Sequence, residues 1–159
     1  MSSLLQPRLI GRELARIAVE RAVEESITLD CLTCIAVLDA TGHLISYDRM
    51  DGAPFQSAQL AQDKAYSVAG NGKSTHEFWA MIRDEPWLVS GVGKVEGLNV
   101  LGGGVPIYFE GELVGAIGVS GKSNMDEDRA IAEAAAAAVI DVLVAEAASA
   151  TVAAESVTA

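Results

Sequence analysis

The segment VPIYFEGELVGAIGVS, Val105 to Ser120, limits the folds open to this chain more than any other stretch. Its two apolar arms meet at Glu110-Gly111-Glu112. In the second arm Leu113, Gly115, Ile117 and Val119 alternate with Val114, Ala116, Gly118 and Ser120, so the spacing predicts strand, tight turn and strand. Such a hairpin is antiparallel by construction. Beyond it the sequence carries a single helical pattern, from about Asp126 to Val144, opened by Asp126, Glu127 and Asp128, where the helix dipole favours negative charge. A sheet of parallel strands joined by crossover helices is therefore not available here.

Upstream, Ile10, Leu14, Ile17 and Ala18 recur at helical spacing opposite Arg12, Arg16, Glu20 and Glu24, which predicts an amphipathic helix from Gln6 to about Ile27 with Pro7 in its first turn. Thr33 to Asp39, the turn ATG and His43 to Arg49 read as a first hairpin. A helix follows from Phe55 to Gly70, with Leu60, Lys64 and Val68 on one stripe and Gly70-Asn71-Gly72 as a left-handed end. Ser74-Thr75-His76-Glu77 then spells a capping box for a further helix that stops near Pro86. The glycine-rich connection Gly91 to Gly104 is expected to hold short strands and a loop. The expected order is thus α-β-β-α-α-β-β-α, an α+β domain over residues 1–146, with 147–159 as a flexible tail because SATVAAESVTA has no period.

Two stretches imitate phosphate loops: AIGVSGKS, Ala116 to Ser123, and GNGKST, Gly70 to Thr75. The first has strand where a loop must curl around a phosphate, and the second has Ser67 where a glycine is required. Both are better explained by strand, turn and cap chemistry. Cys31 and Cys34 form a lone C-x-x-C followed by an apolar strand. No helix start lowers a thiol there and no further ligands complete a zinc site, so the pair reads as two reduced, buried cysteines. A formal charge of −11 argues against sequence-independent binding to nucleic acid or to an anionic membrane, because that affinity comes from a basic face. Glu133, Asp141 and Glu146 interrupt the alanine-rich Ala130–Ala148, which rules it out as a membrane span. The N-terminal residues lack a signal-peptide apolar segment, so the expected location is cytoplasmic.

The blocks YDRMDGAPFQSAQLAQDKAYSVA, STHEF, LGGGVPIYFEGELVGAIGVSG and EDRAIAEAA occur in one order, and together they resemble the GlcG/HbpS family, which includes the C-terminal domain of PduO-type corrinoid proteins. The resemblance runs from about Leu9 to Val144. It implies a profilin-like or PAS-like antiparallel sheet flanked by helices, and a homo-oligomer. It also implies a small-molecule ligand, with haem or another tetrapyrrole leading. A few relatives are proposed to be cofactor-free enzymes on small acids. The matching positions are Arg49, Met50, Asp51, Lys64, Thr75, Glu77, Gly103, Gly104, Val105, Pro106, Ser120, Gly121 and Asp128. Lys122 departs from the pattern, since a second glycine is expected there.

Those positions suggest two kinds of site. Arg49 and Asp51 flank a turn and are able to clamp an anionic ligand or form a salt bridge that fixes the loop. Lys64 points inward by pattern and is placed to pair with Asp51, hold a ligand carboxylate or act as a base, with Asp51 and Glu77 as companion acid–base groups if the chain is an enzyme on a small carboxylate or amide. Gly103, Gly104 and Val105 offer backbone N–H groups to an anion, or form a tight turn. For haem, His76 is the candidate axial ligand, ahead of His43, and Phe55, Phe78, Trp79, Met81 and Trp87 are candidates to line an apolar slot. Lys122 is the cation to inspect beside an anionic ligand.

Overall fold

Glu110 and Gly111, at the centre of the second hairpin, both take positive φ, 50° and 81°, as a type I′ turn requires. The computed structural model describes residues 6–157. Around that turn the chain runs α1 (Arg12–Thr28), β1 (Leu32–Asp39), β2 (Leu44–Arg49), α2 (Ser57–Asn71), α3 (Thr75–Ile82), α4 (Pro86–Val92), β3 (Gly104–Phe109), β4 (Glu112–Lys122) and α5 (Met125–Val157). This is the expected order with one short helix, α4, added. The strands form one antiparallel sheet in the order β2-β1-β4-β3.

The two faces of that sheet carry different side chains. Ile35, Val37, Ile117 and Val119 point to one face and pack with Ala15, Ala18 and Ala22 of α1 and Ile131, Ala135 and Val139 of α5. Their neighbours Cys34, Ala36 and Ala116 point to the other face, where they meet Ala61, Ala65 and Val68 of α2. Period-two alternation thus divides the core into a layer of branched residues and a layer of small ones. The small layer lets α2 lie almost on the sheet backbone, and Lys64 sits on that buried stripe.

Both phosphate-loop look-alikes are accounted for. Ala116 to Lys122 lies inside β4 and is paired residue by residue with Leu32 to Leu38 of β1. Gly72 is the left-handed cap of α2 at φ 72°, donating its N–H to Val68 O, and Ser74 opens α3 with both halves of the capping box made.

Three boundaries move. Helix α1 begins at Arg12, and Ile10 instead donates its N–H to Val114 O at 2.8 Å and buries its side chain. Ile10 thereby removes its side chain from water and joins the core beneath α1 and α5. The connection after α4 contains no strand before Gly104; left-handed glycines at Gly97 (φ 78°) and Gly103 (φ 112°) bend it into turns. Helix α5 continues past Val144 to Val157, carried by alanine's helix propensity after the apolar period has ended.

Candidate functional site

Lys64 is 2% exposed, and its ammonium donates to Val119 O at 2.7 Å and to Asp128 Oδ2 at 2.8 Å. Asp128, itself buried, also accepts from the Ser123 hydroxyl on Oδ1. Burial pushes Lys64 below the usual lysine range, and the Asp128 carboxylate pulls it back. The partner of Lys64 is therefore Asp128, on the first turn of α5. Asp51 is exposed, in the loop after β2.

Gly103 lies against this pair. At its φ of 112°, a Cβ would stand 2.6 Å from Val119 O, 2.8 Å from Asp128 Cβ and 3.1 Å from Lys64 Nζ, so only glycine fits. The next residue, Gly104, donates its N–H to Thr75 Oγ1 at 3.0 Å. Gly103, Gly104 and Val105 are all buried, and these contacts turn the glycine stretch inward.

Just outside this packed layer lies a cavity of 310 Å³ lined by His76, Trp79, Val100, Leu101, Gly102, Met125, Asp126 and Arg129. Helix α3 supplies His76 and Trp79, the loop before β3 supplies Val100 to Gly102, and the start of α5 supplies the rest. Asn124 fixes that start by accepting from Asp126 N and Glu127 N on its Oδ1, at 2.9 and 3.0 Å. At the cavity edge, Arg129 donates to Glu133 at 2.7 Å.

The tautomer of His76 follows from the capping box. The Ser74 hydroxyl gives its one proton to Glu77 Oε2 at 2.5 Å, so toward His76 Nε2, 3.2 Å away, it only accepts. A neutral ring that makes this contact carries its proton on Nε2 and leaves a lone pair on Nδ1. That Nδ1 is buried and has no hydrogen-bond partner, alone in this respect among the described residues. Glu77 is engaged in the cap as well; the Ser74 hydroxyl, and then the Ser74 backbone N–H, hold it below the usual carboxylate range.

The other candidates lie elsewhere. Arg49 is exposed and donates to Ala53 O at 2.6 Å within its own loop. Phe55 is 76% exposed and lines none of the cavities described. Of the five residues expected to line an apolar slot, Trp79 alone reaches the cavity wall. Lys122 is exposed at the end of β4 opposite Leu32, away from that wall. His43 is exposed in the first hairpin turn, 2.8 Å from Thr41 Oγ1. Cys31 and Cys34 are free and buried, on opposite faces of the sheet. No group of three His, Cys, Asp or Glu among the described residues is arranged to hold a metal ion. No described helix is long and apolar enough to cross a membrane.

Val100, Leu101, Met125, Asp126 and Arg129 escape a reading of the sequence as a site because three elements far apart along the chain bring them together. The sequence does carry Asp126 and Arg129 within the acidic block that opens the last helix, but nothing local shows that this opening faces His76.

A family model described as haem degrading protein HbpS-like matches residues 10–137. The corrinoid adenosyltransferase PduO of Citrobacter freundii is 34% identical over 128 residues, which are 80% of this chain but only 37% of that relative, so the chain spans little more than a third of its length. Protein GlcG of Escherichia coli K12 is 30% identical over 112 residues, 70% of this chain and 81% of GlcG. Among solved structures, a PduOC:heme complex superimposes with a TM-score of 0.76 at 27% identity, covering 82% of this chain and 94% of that one. With a match over most of its length, the antiparallel sheet between α2 and the α1–α5 layer, and relatives of both the GlcG and PduO kinds, this chain belongs to the HbpS-like family.

Proposed function

We propose that the chain binds a small ligand in the cavity between α3, the loop before β3 and the start of α5, and that haem or another tetrapyrrole is that ligand. The observation that carries this is that His76, which lines a largely apolar cavity, holds a buried Nδ1 with no hydrogen-bond partner. An unpaired polar atom in such a place costs free energy unless something completes it. The family description and the heme complex of a relative support the choice of haem.

The residues fit such a group in kind. Trp79, Leu101 and Met125 provide apolar contact, the Arg129 guanidinium stands at the edge for a carboxylate, and His76 supplies an imidazole nitrogen. His76 would hold the iron through an imidazole nitrogen, and its ring is tied by a single 3.2 Å contact to Ser74. When bound, haem supplies an iron centre whose chemistry is set by its axial ligand and by the polarity around it. A cavity of 310 Å³ lies near the low end of ligand pockets, roughly 300–1,000 Å³.

Titration with haemin is expected to shift the Soret band and saturate near one haemin per chain. His76→Ala removes the shift while leaving the fold intact, and Arg129→Gln weakens binding. A wild-type titration with no Soret change near that stoichiometry overturns the haem reading.

The chain also functions as a homo-oligomer. Trp79, Met81 and Trp87, on α3 and α4, are 40%, 55% and 69% exposed, and large apolar groups left outside in this density mark an interaction surface. Sedimentation velocity is expected to show a multimer that Met81→Glu combined with Trp87→Glu converts to monomer. A wild-type monomer at tens of micromolar would refute it.

A further inference from the structure

A second cavity, of 550 Å³, lies on the far side of the same loop, between α2, the first hairpin turn and residues Val95 to Gly97. Its lining includes Tyr66, a residue 48% exposed and yet held in place. A Cβ on Gly42 would lie 3.5 Å from Cε2 of the ring, and one on Gly97 would lie 2.9 Å from Cδ1, so two glycines close on its opposite edges. Both have positive φ, 88° and 78°. They come from different loops, and neither position admits a larger residue without strain.

The loop that carries Gly97 is fastened beside the ring. Ser67 is buried on α2; its hydroxyl accepts from Asn99 N at 2.6 Å, and its one proton faces both Asp63 O at 2.8 Å and Gly97 O at 3.2 Å. A half-exposed aromatic residue whose ring is flanked by two glycines that admit nothing larger is a preorganised contact, since binding against it orders little that is still free.

The charge on the walls is of one sign. Asp63 and Glu96 both line the cavity, no lysine, arginine or histidine does, and neither carboxylate forms an ion pair among the described residues. Among the described residues the Asp63 carboxylate accepts only from the amide of Gln59, at 2.7 Å. Leu38 and Leu44 add apolar wall.

We infer that this cavity is a binding site for an organic cation with an apolar body, such as a substituted ammonium or guanidinium. Tyr66 supplies an aromatic surface for the charge, the two carboxylates neutralise it, and the leucines cover the hydrocarbon. A net charge of −11 raises the local concentration of such ligands at low salt. This site shares with the His76 cavity only the loop between them.

The test is titration of the full chain with benzyltrimethylammonium, followed by amide and aromatic NMR, beside benzyl alcohol, benzoate and magnesium chloride. The expected result is saturable shifts at Gly42, Tyr66 and Gly97 with the ammonium, weakened by salt and absent with benzoate. Tyr66→Leu, and separately Asp63→Asn with Glu96→Gln, each weaken binding about fivefold, the scale of a surface cation–π contact for the first and of exposed ion pairs for the second. All of these positions are at least partly exposed, and unchanged amide dispersion checks that the variants fold. Equal shifts with benzyl alcohol would reduce the site to an apolar groove and overturn the inference. Magnesium-induced shifts at Asp63 and Glu96 with no response of Tyr66 to the ammonium would overturn it too, as would no saturable shift at all.

Discussion

Lys64→Met is expected to lower the unfolding free energy by roughly 3–5 kcal/mol, the usual cost of removing one member of a buried ion pair. The size of the effect comes from what remains. Asp128 stays buried, and its Oδ2 loses the ammonium 2.8 Å away, while Val119 O loses the donor at 2.7 Å. Only the Ser123 hydroxyl still faces the carboxylate. Urea denaturation of the two chains measures the difference directly as a shift in midpoint at unchanged slope. The pair as a whole is a different matter, because burial works against the charged form of Lys64 even with Asp128 present. Lys64→Met combined with Asp128→Leu is therefore expected to recover most of the loss, apolar groups of similar shape being tolerated where a lone charge is not. A single-variant cost below about 1 kcal/mol, the range of exposed pairs, would show that the two groups are solvated in solution.

This pair also shows where the sequence stops being informative. That Lys64 faces inward is legible, since Leu60, Lys64 and Val68 share a helical stripe. That its counter-charge is Asp128 is not, because 64 residues separate them and the sequence offers the nearer Asp51 with equal chemistry. Hairpins, caps and turns were readable for the opposite reason: their determinants sit within a few residues, as in Glu110-Gly111 and Ser74–Glu77. His76 was legible as a possible ligand from its residue type alone, whereas the reason it stands out is that Ser74 spends its proton on Glu77. No pattern along the chain encodes that. Lys122 is an exception to a family pattern, but it lies exposed beyond the packed layer and away from the His76 cavity, so a difference between sequences does not by itself locate a site.

The same alanine substitution is expected to have opposite signs at two glycines that bear on α2. At Gly118 a new Cβ would run into the carbonyl oxygen of Ala61 and lie 2.8 Å from Ala65 N, both backbone atoms that no rotamer change moves aside. Gly118 is in the middle of β4, hydrogen-bonded on both sides by β1 and β3, so the sheet does not yield either. Helix α2 has to lift, and with it Ala61, Ala65 and Val68 leave the small-residue layer and the Lys64 ammonium is dragged from Val119 O. Gly118→Ala is accordingly placed at the upper end of overpacking costs, roughly 3 kcal/mol. At Gly70, near the end of α2, a Cβ meets nothing within 4 Å and φ is not positive. There the substitution adds helix propensity alone, and Gly70→Ala is expected to stabilise by up to about 1 kcal/mol. Thermal or urea unfolding of both variants decides the point: equal small effects would mean that α2 rides higher on the sheet than the Gly118 contact implies. Divergence in sign would tie the whole arrangement of α2, Lys64 and the loop over Gly103 to the lack of a side chain at position 118.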